Sequence, residues 1–531
     1  MKKSLLGVSL FTVTGLYCFL FAFIFLIGLF TGAEMSYMIL GSIIALIIEF
    51  LLAPFFTDLV MKWFYKAKFD AEIPEHLVRF ITVVCKQYNM KYPKIGYIDD
   101  GAPNAFTYGR TKNDARIVVT RGLIEMLSPE EVEAVVVHEI GHAVHYDMAV
   151  MTMAQLIPLV LYYCYEIFTS SNNDSDNSKL AALGYIAYIL YVISDYIILW
   201  LSRQREYYAD SFAIESTRNP SALAEALVKI GYGLSTRSDR ETKKSISSKN
   251  ALGIFDSNAS KSLALASYGS KGISKENIMH AMKWEMWNVW AKWYELSSTH
   301  PLISKRLKAI SERCSEFNQP VYIDFNIKQP ESYVDDFIGE LLVLGLPFIF
   351  STIGIIATVV VGIITDDVFL VKICGFGTLA SIMVTYLINL SLTHKNKGYE
   401  ACTVLDLLSE VKVSGVTSVP CVLEGEIIGR GNPGCIFNED FVIKDKTGIM
   451  FLDYKHVFRI VDKFSALFKS NTFMKKKVKV TGWYRRSPVP YVEIYKIHIE
   501  GEAKERVMKS FGVSRFFAIA VLVFSVVMMF I

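Results

Sequence analysis

Residues 4–33 contain no charged side chain, and that leaves the chain few possible folds. In hydrocarbon every backbone N–H and C=O must be satisfied within its own segment, so a run this long reads as a membrane helix. The pattern recurs. Residues 148–165, 341–365 and 373–393 are uncharged, residues 36–57 hold only Glu49, residues 180–202 only Asp195, and residues 516–531 form a last run. Crossing takes about 20 apolar residues, so the runs at 148–165 and 516–531 are short for spans. Lys2-Lys3 before an apolar run is also how a secretory signal begins. Here the run is too long and a second span follows, so it reads as a retained span. The composition is 52% hydrophobic with a mean hydropathy of +0.33, which leaves room for soluble parts.

Charge sets the expected orientation. The loops 34–35, 166–179 and 366–372 hold only Lys179 and Lys372 of the 55 Lys and Arg. Segments 1–3, 59–147, 203–336 and 394–515 hold the rest, so the positive-inside rule puts these and the N-terminus in the cytoplasm, at the inner membrane of the cell. A net charge of +3 gives no argument for nucleic acid. Eight Cys lack metal-ligand spacing. Cys18, Cys164 and Cys374 fall in spans; Cys85, Cys314, Cys402, Cys421 and Cys435 fall in cytoplasmic segments, where free thiols are expected.

The chemistry centres on His138-Glu139-Ile140-Gly141-His142, an H-E-x-x-H run. On a helix, positions i and i+4 share a face, so two imidazoles can grip one metal ion, with Glu139 placed to take a proton from water at the open coordination position. Ser128-Pro129-Glu130-Glu131 predicts the helix start, a capping box with Pro at the first helical position. The competing reading is two surface His on an amphipathic helix. A catalytic zinc usually takes a third protein ligand. Arg205-Glu206-Tyr207-Tyr208-Ala209-Asp210 supplies a candidate in Glu206, with Asp210 one turn on to hold the spare N–H of a ligand His. Alone, that pair reads equally as a solvated helix face.

With these motifs the chain resembles the HtpX-like membrane zinc metallopeptidases, relatives of the integral-membrane CAAX prenyl endopeptidase. The resemblance rests on His138 to Asp147 (H-E-x-G-H, four residues, Asp), Asn104-Ala105-Phe106 with Gly109, the Glu206/Asp210 pair, and Thr299-His300-Pro301 with Arg306, in that order. It covers roughly residues 1–315; a membrane hairpin, a soluble domain and a tail follow that a minimal HtpX lacks. It implies a zincin-type domain binding Zn²⁺ through His138, His142 and Glu206, with Glu139 catalytic and Asp147 and Asp210 supporting the ligands. His300 and Arg306 become candidates for stabilising the oxyanion; their plainer readings are a turn cap and an ion pair. Asn104-Ala105-Phe106 reads from the residues alone as an ordinary hairpin strand. The resemblance favours an edge strand onto which an extended substrate adds.

Further elements follow from local pattern. Residues 74–90 read as a helix, 94–98 as a strand, 104–108 and 116–120 as a hairpin, and Asn219-Pro220 as the start of another helix. Residues 235–250, rich in Ser and charge, read as a mobile loop. Trp284, Trp287, Trp290 and Trp293 recur every three residues and read as packing. In 400–500, runs at 441–444, 449–454, 475–484 and 491–498, with bends at Gly425, Gly429, Gly431 and Gly434, suggest a small OB-like barrel. Lys475-Lys476-Lys477 and Arg485-Arg486 fit nucleic acid, a solvated face or anionic headgroups; tethering to the membrane at both ends makes nucleic acid unlikely.

The expected architecture is a mainly α, multi-span membrane protein. A two-span hairpin (1–58) precedes a zinc metallopeptidase domain with a small β-sheet (59–336, spans near 148–165 and 180–202). A second membrane hairpin (337–393), a cytoplasmic OB-like β domain (400–500) and a terminal span (514–531) follow. The expected activity is endoproteolysis on the cytoplasmic side of the membrane in membrane-protein quality control, with proteins or peptides as substrates and lipids as neighbours. CAAX-type prenyl-protein proteolysis and a non-catalytic metal-binding scaffold are the alternatives. A scaffold would not need Glu139, and a metal transporter would keep its ligands inside the spans. Asp195, eleven residues before Glu206 and on nearly the same helix face, and Glu49 suggest a wet cavity between spans; the alternative is an acid hydrated near the headgroups.

Overall fold

The computed structural model describes residues 35–69, 73–101, 103–170, 177–236, 275–365, 367–395, 398–430, 441–453, 475–487, 489–502, 505–507 and 510–531. The run at 4–33, the polar segment from 237 to 250, Cys18, Cys435, the Glu49 side chain and the expected bends at Gly431 and Gly434 lie outside the described residues.

In chain order the elements are α1 (Met35–Trp63), α2 (Glu75–Gln87), β1 (Lys94–Ile98), β2 (Ala105–Gly109), β3 (Ala115–Thr120), α3 (Arg121–Met126), α4 (Pro129–Val144), α5 (Asp147–Ser170), α6 (Asn177–Thr217) and α7 (Pro220–Thr236). Then come α8 (Lys275–Trp287), α9 (Val289–Leu296), α10 (Ile303–Arg313), α11 (Val334–Thr365) and α12 (Val368–Thr393). The C-terminal part holds β4 (Glu400–Cys402), α13 (Val404–Ser409), β5 (Val419–Arg430), β6 (Phe441–Lys444), β7 (Ile449–Asp453), β8 (Lys477–Ser487), β9 (Val489–Ile499), β10 (Arg506–Val507) and α14 (Ser510–Phe530). Among the described residues five helices are long and apolar enough to cross a membrane: Asp147–Thr169, Leu180–Thr217, Val334–Thr365, Val368–Thr393 and Gly512–Phe530. The two runs that looked short thus extend to 23 and 19 residues. The run at 36–57 lies within α1.

The chain divides into two compact units, Met1–Ser260 with Trp293–Phe325, and Lys261–Lys292 with Asn326–Ile531. In the first, β1 pairs parallel to β3 and β2 antiparallel to it, so β3 is central and β2 is an edge. Residues Ala115 to Thr120 are buried at every position, which suits a central strand rich in β-branched side chains. Gly109 has φ +148°, and a Cβ there would lie 2.2 Å from the Asp114 carbonyl oxygen, so only glycine fits. Helix α4 starts as its sequence predicts. Ser128 N donates to the Glu131 carboxylate at 2.8 Å and Glu131 N donates back to Ser128 Oγ at 3.4 Å. Such a cap contributes about 1 kcal/mol. Ala154, Ile157 and Leu161 of α5 pack on Ala187 and Ile198 of α6 to make the helix pair.

In the second unit α8 is bound to the β part. Trp284 Nε1 donates to Val413 O at 2.7 Å and Asn288 Nδ2 donates to Val411 O at 2.7 Å. The Arg486 guanidinium lies 4.5 Å over the Trp284 ring and donates to Ala281 O at 3.1 Å. Trp290 packs on Phe337 with ring centroids 4.8 Å apart, while Trp293, in the first unit, is exposed. β5 pairs with β6 and β8, β8 with β9, β9 with β7 and β7 with β6, which closes a ring of strands. The basic-face expectation fails at Arg485 and Arg486, which are buried. Arg485 donates to Glu493 at 3.0 Å and to Thr393 O at 2.7 Å. A guanidinium committed this way offers nothing to a phosphate backbone. The described cysteines, Cys85, Cys164, Cys314, Cys374, Cys402 and Cys421, are free thiols.

Candidate active site

Helices α4 and α6 cross closely because residue 141 is glycine: a Cβ there would lie 3.1 Å from Phe212 Cδ1 and 3.3 Å from Ala209 Cα. The approach brings Glu206 of α6 to the two imidazoles of α4. His138 Nε2 and His142 Nε2 are 3.2 Å apart, and the Glu206 carboxylate oxygens lie 3.6 Å and 3.5 Å from them. Zinc bonds of about 2.0–2.2 Å would put tetrahedral ligands about 3.3–3.6 Å from one another. The spacing therefore fits one small divalent ion, and these three residues are the one His/Cys/Asp/Glu group of metal-binding size among the described residues.

The other ring nitrogens fix the donor chemistry. His142 Nδ1 lies 2.7 Å from Asp147 Oδ2 and His138 Nδ1 lies 3.0 Å from Asp210 Oδ1. Carboxylates only accept, so an Nδ1–H suits both contacts and leaves the two Nε2 atoms as the positions a metal would take. Asp147 reaches His142 through a break in the helix. Positions five apart on an unbroken helix lie on different faces. Tyr146, with φ +59°, turns the chain between α4 and α5 and brings Asp147 back. Arg205 holds the other Asp147 oxygen and donates to His145 O at 3.3 Å.

Arg306 of α10 completes the cluster. Its guanidinium lies 3.0 Å from Glu206 Oε2 and donates to both Asp210 oxygens at 2.7 and 2.9 Å. Committed to two carboxylates, it makes the ion pair that was its plainer reading in the sequence. His300 brings Nε2 to 3.6 Å from Glu206 Oε1, with Nδ1 2.9 Å from Thr299 Oγ1. Glu139 is buried beside the ligands, and its carbonyl accepts from Thr107 Oγ1 at 3.1 Å, tying edge strand β2 to α4. Asn104 N donates to Thr120 Oγ1 at 2.8 Å; Ala105 and Phe106 are buried, Phe106 among Met61, Ile98, Tyr108 and Val118. The Ala105 and Phe106 side chains thus serve the core. Asp195 is exposed on α6, where Glu206 is buried.

Sequence reasoning missed Arg203, Arg205 and Thr107. Arg203 donates to the carbonyls of Glu295, Leu296 and Ser298 at 2.8, 3.2 and 2.7 Å, anchoring the segment that leads to His300. Both arginines directly follow an apolar run, where the positive-inside pattern already accounts for basic residues and hides a second role.

Burial alone would lower the His138 pKa, but the Asp210 and Glu206 carboxylates outweigh it and push it up to about 9. His142 is raised as well, with Asp147 prevailing over burial. A metal must displace these protons. Zinc uptake by the stripped protein is therefore expected to release protons and to weaken as pH falls, by about tenfold per pH unit below about 9 for the His138 proton alone. Titration calorimetry at pH 6 and pH 8, in buffers of differing ionisation enthalpy, measures this; equal affinity at both would refute it.

Fold and site together define a protein with five described helices long and apolar enough to cross a membrane and a two-histidine, one-carboxylate group that could hold a metal ion. Peptidase family M48 matches residues 73–314. A protease HtpX homolog of Methanothermobacter thermautotrophicus is 37% identical over 204 residues, covering 38% of this chain and 76% of that protein. A protease HtpX homolog of Archaeoglobus fulgidus is 36% identical over 213 residues, covering 39% of this chain and 61% of that protein. The crystal structure of S. mikatae Ste24p aligns at 18% identity with a TM-score of 0.33, over 56% of this chain and 62% of that one. The chain belongs to peptidase family M48, among the HtpX homologues.

Proposed function

We propose that this protein is a zinc-dependent endopeptidase of the membrane that hydrolyses peptide bonds of membrane proteins on the cytoplasmic side, in quality control. The observation that carries the reading is the convergence of His138, His142 and Glu206 at tetrahedral ligand spacing with Glu139 buried beside them. A bound zinc supplies Lewis acidity that polarises a carbonyl and acidifies water. The chain's own residues do the rest. Glu139 takes the proton from the attacking water and passes it to the leaving amine. Asp147 and Asp210 hold the imidazoles in the metal-binding tautomer, and Arg306 holds Glu206. His300, whose Nε2 lies 3.6 Å from Glu206 Oε1, would donate to the developing oxyanion. The free edge of β2 offers backbone donors and acceptors to an extended substrate.

The test is degradation of casein or a membrane-protein substrate by the purified full chain. Chelation should abolish cleavage and zinc should restore it; cleavage that survives complete metal removal would sink the assignment. For the C-terminal part, the strand ring β5-β6-β7-β9-β8 with a parallel β7–β9 contact supports an OB-like barrel. The Lys and Arg distribution supports a cytoplasmic N-terminus, site and barrel. Cysteines introduced at 170–178 should label from outside intact cells and those at 400–500 only after permeabilisation; the reverse pattern would invert the topology.

A further inference from the structure

Away from the metal centre, the first unit has an open cavity of about 850 Å³ where α1 ends. Lys62, Lys68 and Lys94 line it together with Phe69, Ile73 and Tyr92. Its geometry follows from the chain's path. Lys66, with φ +51°, turns the backbone sharply after α1, and Ala67 N donates to Met61 O at 2.9 Å. Lys68 then exchanges backbone hydrogen bonds with Tyr97, both 2.8 Å. That bridge fixes Lys68 beside β1, the strand that Lys94 begins.

Among the described residues the charges around this cavity do not cancel. Asp58 lines it too, but Arg116 holds both its oxygens at 3.1 Å and Tyr108 donates to it at 2.8 Å. The three lysine ammonium groups have no ion-pair or hydrogen-bond partner among the described residues. Three unpaired cations around one concavity are what an anion would neutralise. The position says which anion. Helix α1 exposes Leu51, Leu52, Phe55 and Leu59 up to its last turn, and Trp63 and Phe64 at its end are 77% and 81% exposed. Apolar side chains ending in exposed aromatics mark the level of the bilayer interface, where headgroups lie.

We propose that this cavity binds the phosphate-bearing headgroup of an anionic phospholipid from the leaflet in which α1 ends, with Lys62, Lys68 and Lys94 contacting the phosphate and Phe69, Ile73 and Tyr92 packing on its apolar flank. The site is separate from the metal centre and does not depend on the peptidase reading.

The full chain is reconstituted in nanodiscs of phosphatidylcholine with or without phosphatidylglycerol, and retained lipids are counted by native mass spectrometry. Each lysine near an anionic surface contributes about 1 kcal/mol, roughly fivefold in affinity. Wild-type protein should retain phosphatidylglycerol in preference to phosphatidylcholine. The Lys62→Gln/Lys68→Gln/Lys94→Gln variant should bind phosphatidylglycerol roughly a hundredfold more weakly, with its zinc content unchanged. Millimolar inorganic phosphate should not displace the lipid. Equal retention by the variant, or no preference by the wild type, overturns the proposal. Displacement by inorganic phosphate also overturns it, by making the site one for a soluble anion. The wild-type comparison stands whether or not the variant folds.

Discussion

Glu139→Gln is expected to lower turnover by roughly 10²–10⁴-fold while the protein keeps its zinc and its thermal transition. The amide is nearly isosteric with the carboxylate, so the buried position is still filled. It cannot accept a proton at neutral pH, so the attacking water stays protonated and the leaving amine receives no proton. None of the three ligand atoms belongs to residue 139, which is why metal content separates this variant from His142→Ala, where zinc should be lost with activity. Cleavage of casein by the Gln variant within tenfold of wild type would assign the base elsewhere. Loss of zinc along with activity would mean that Glu139 holds the ligands in place instead of moving protons.

The clustering of His138, His142 and Glu206 was legible because helix periodicity is local. His138 and His142, and then Glu206 and Asp210, are each i,i+4 pairs, and the capping box at Ser128 announces the first helix from four residues. The strands at 94–98 and 441–444 were legible for the same reason. What stayed hidden depends on contacts between distant segments. Asp147 is placed by one left-handed residue, Tyr146, which has no glycine or asparagine to announce it. Arg485 and Arg486 look like a surface patch in sequence, and only the folded barrel, with α8 against it, makes them internal. Arg306 sits in a motif that gives no distance to Glu206 or Asp210; its role follows from the arrival of α10 beside α6. Lys62, Lys68 and Lys94 are spread over 33 positions without a motif, and a turn and a strand bridge bring them to one cavity.

Arg306→Ala should be among the most damaging single changes away from the metal ligands themselves. The side chain is 2% exposed and its guanidinium is the shared counter-charge of Glu206 and Asp210. Removing it leaves two buried carboxylates facing each other with nothing bidentate between them. Breaking a buried ion pair by deleting one partner costs about 3–5 kcal/mol, because the remaining charge keeps its desolvation penalty. In a unit of this size that corresponds to a melting temperature lower by roughly 6–20 °C. Arg306→Lys retains the charge and loses the fork that spans Glu206 and both Asp210 oxygens, so it should fall between the two. Zinc offers a further discrimination. A divalent ion beside Glu206 replaces part of the lost positive charge, so the Ala variant should be hurt more when stripped of metal than when loaded, whereas a purely packing role for Arg306 would give the same loss in both states. Thermal unfolding of wild-type, Lys and Ala proteins, each with and without zinc, makes the comparison. An Ala variant that melts within a degree or two of wild type in the stripped state would remove Arg306 from the architecture of the site.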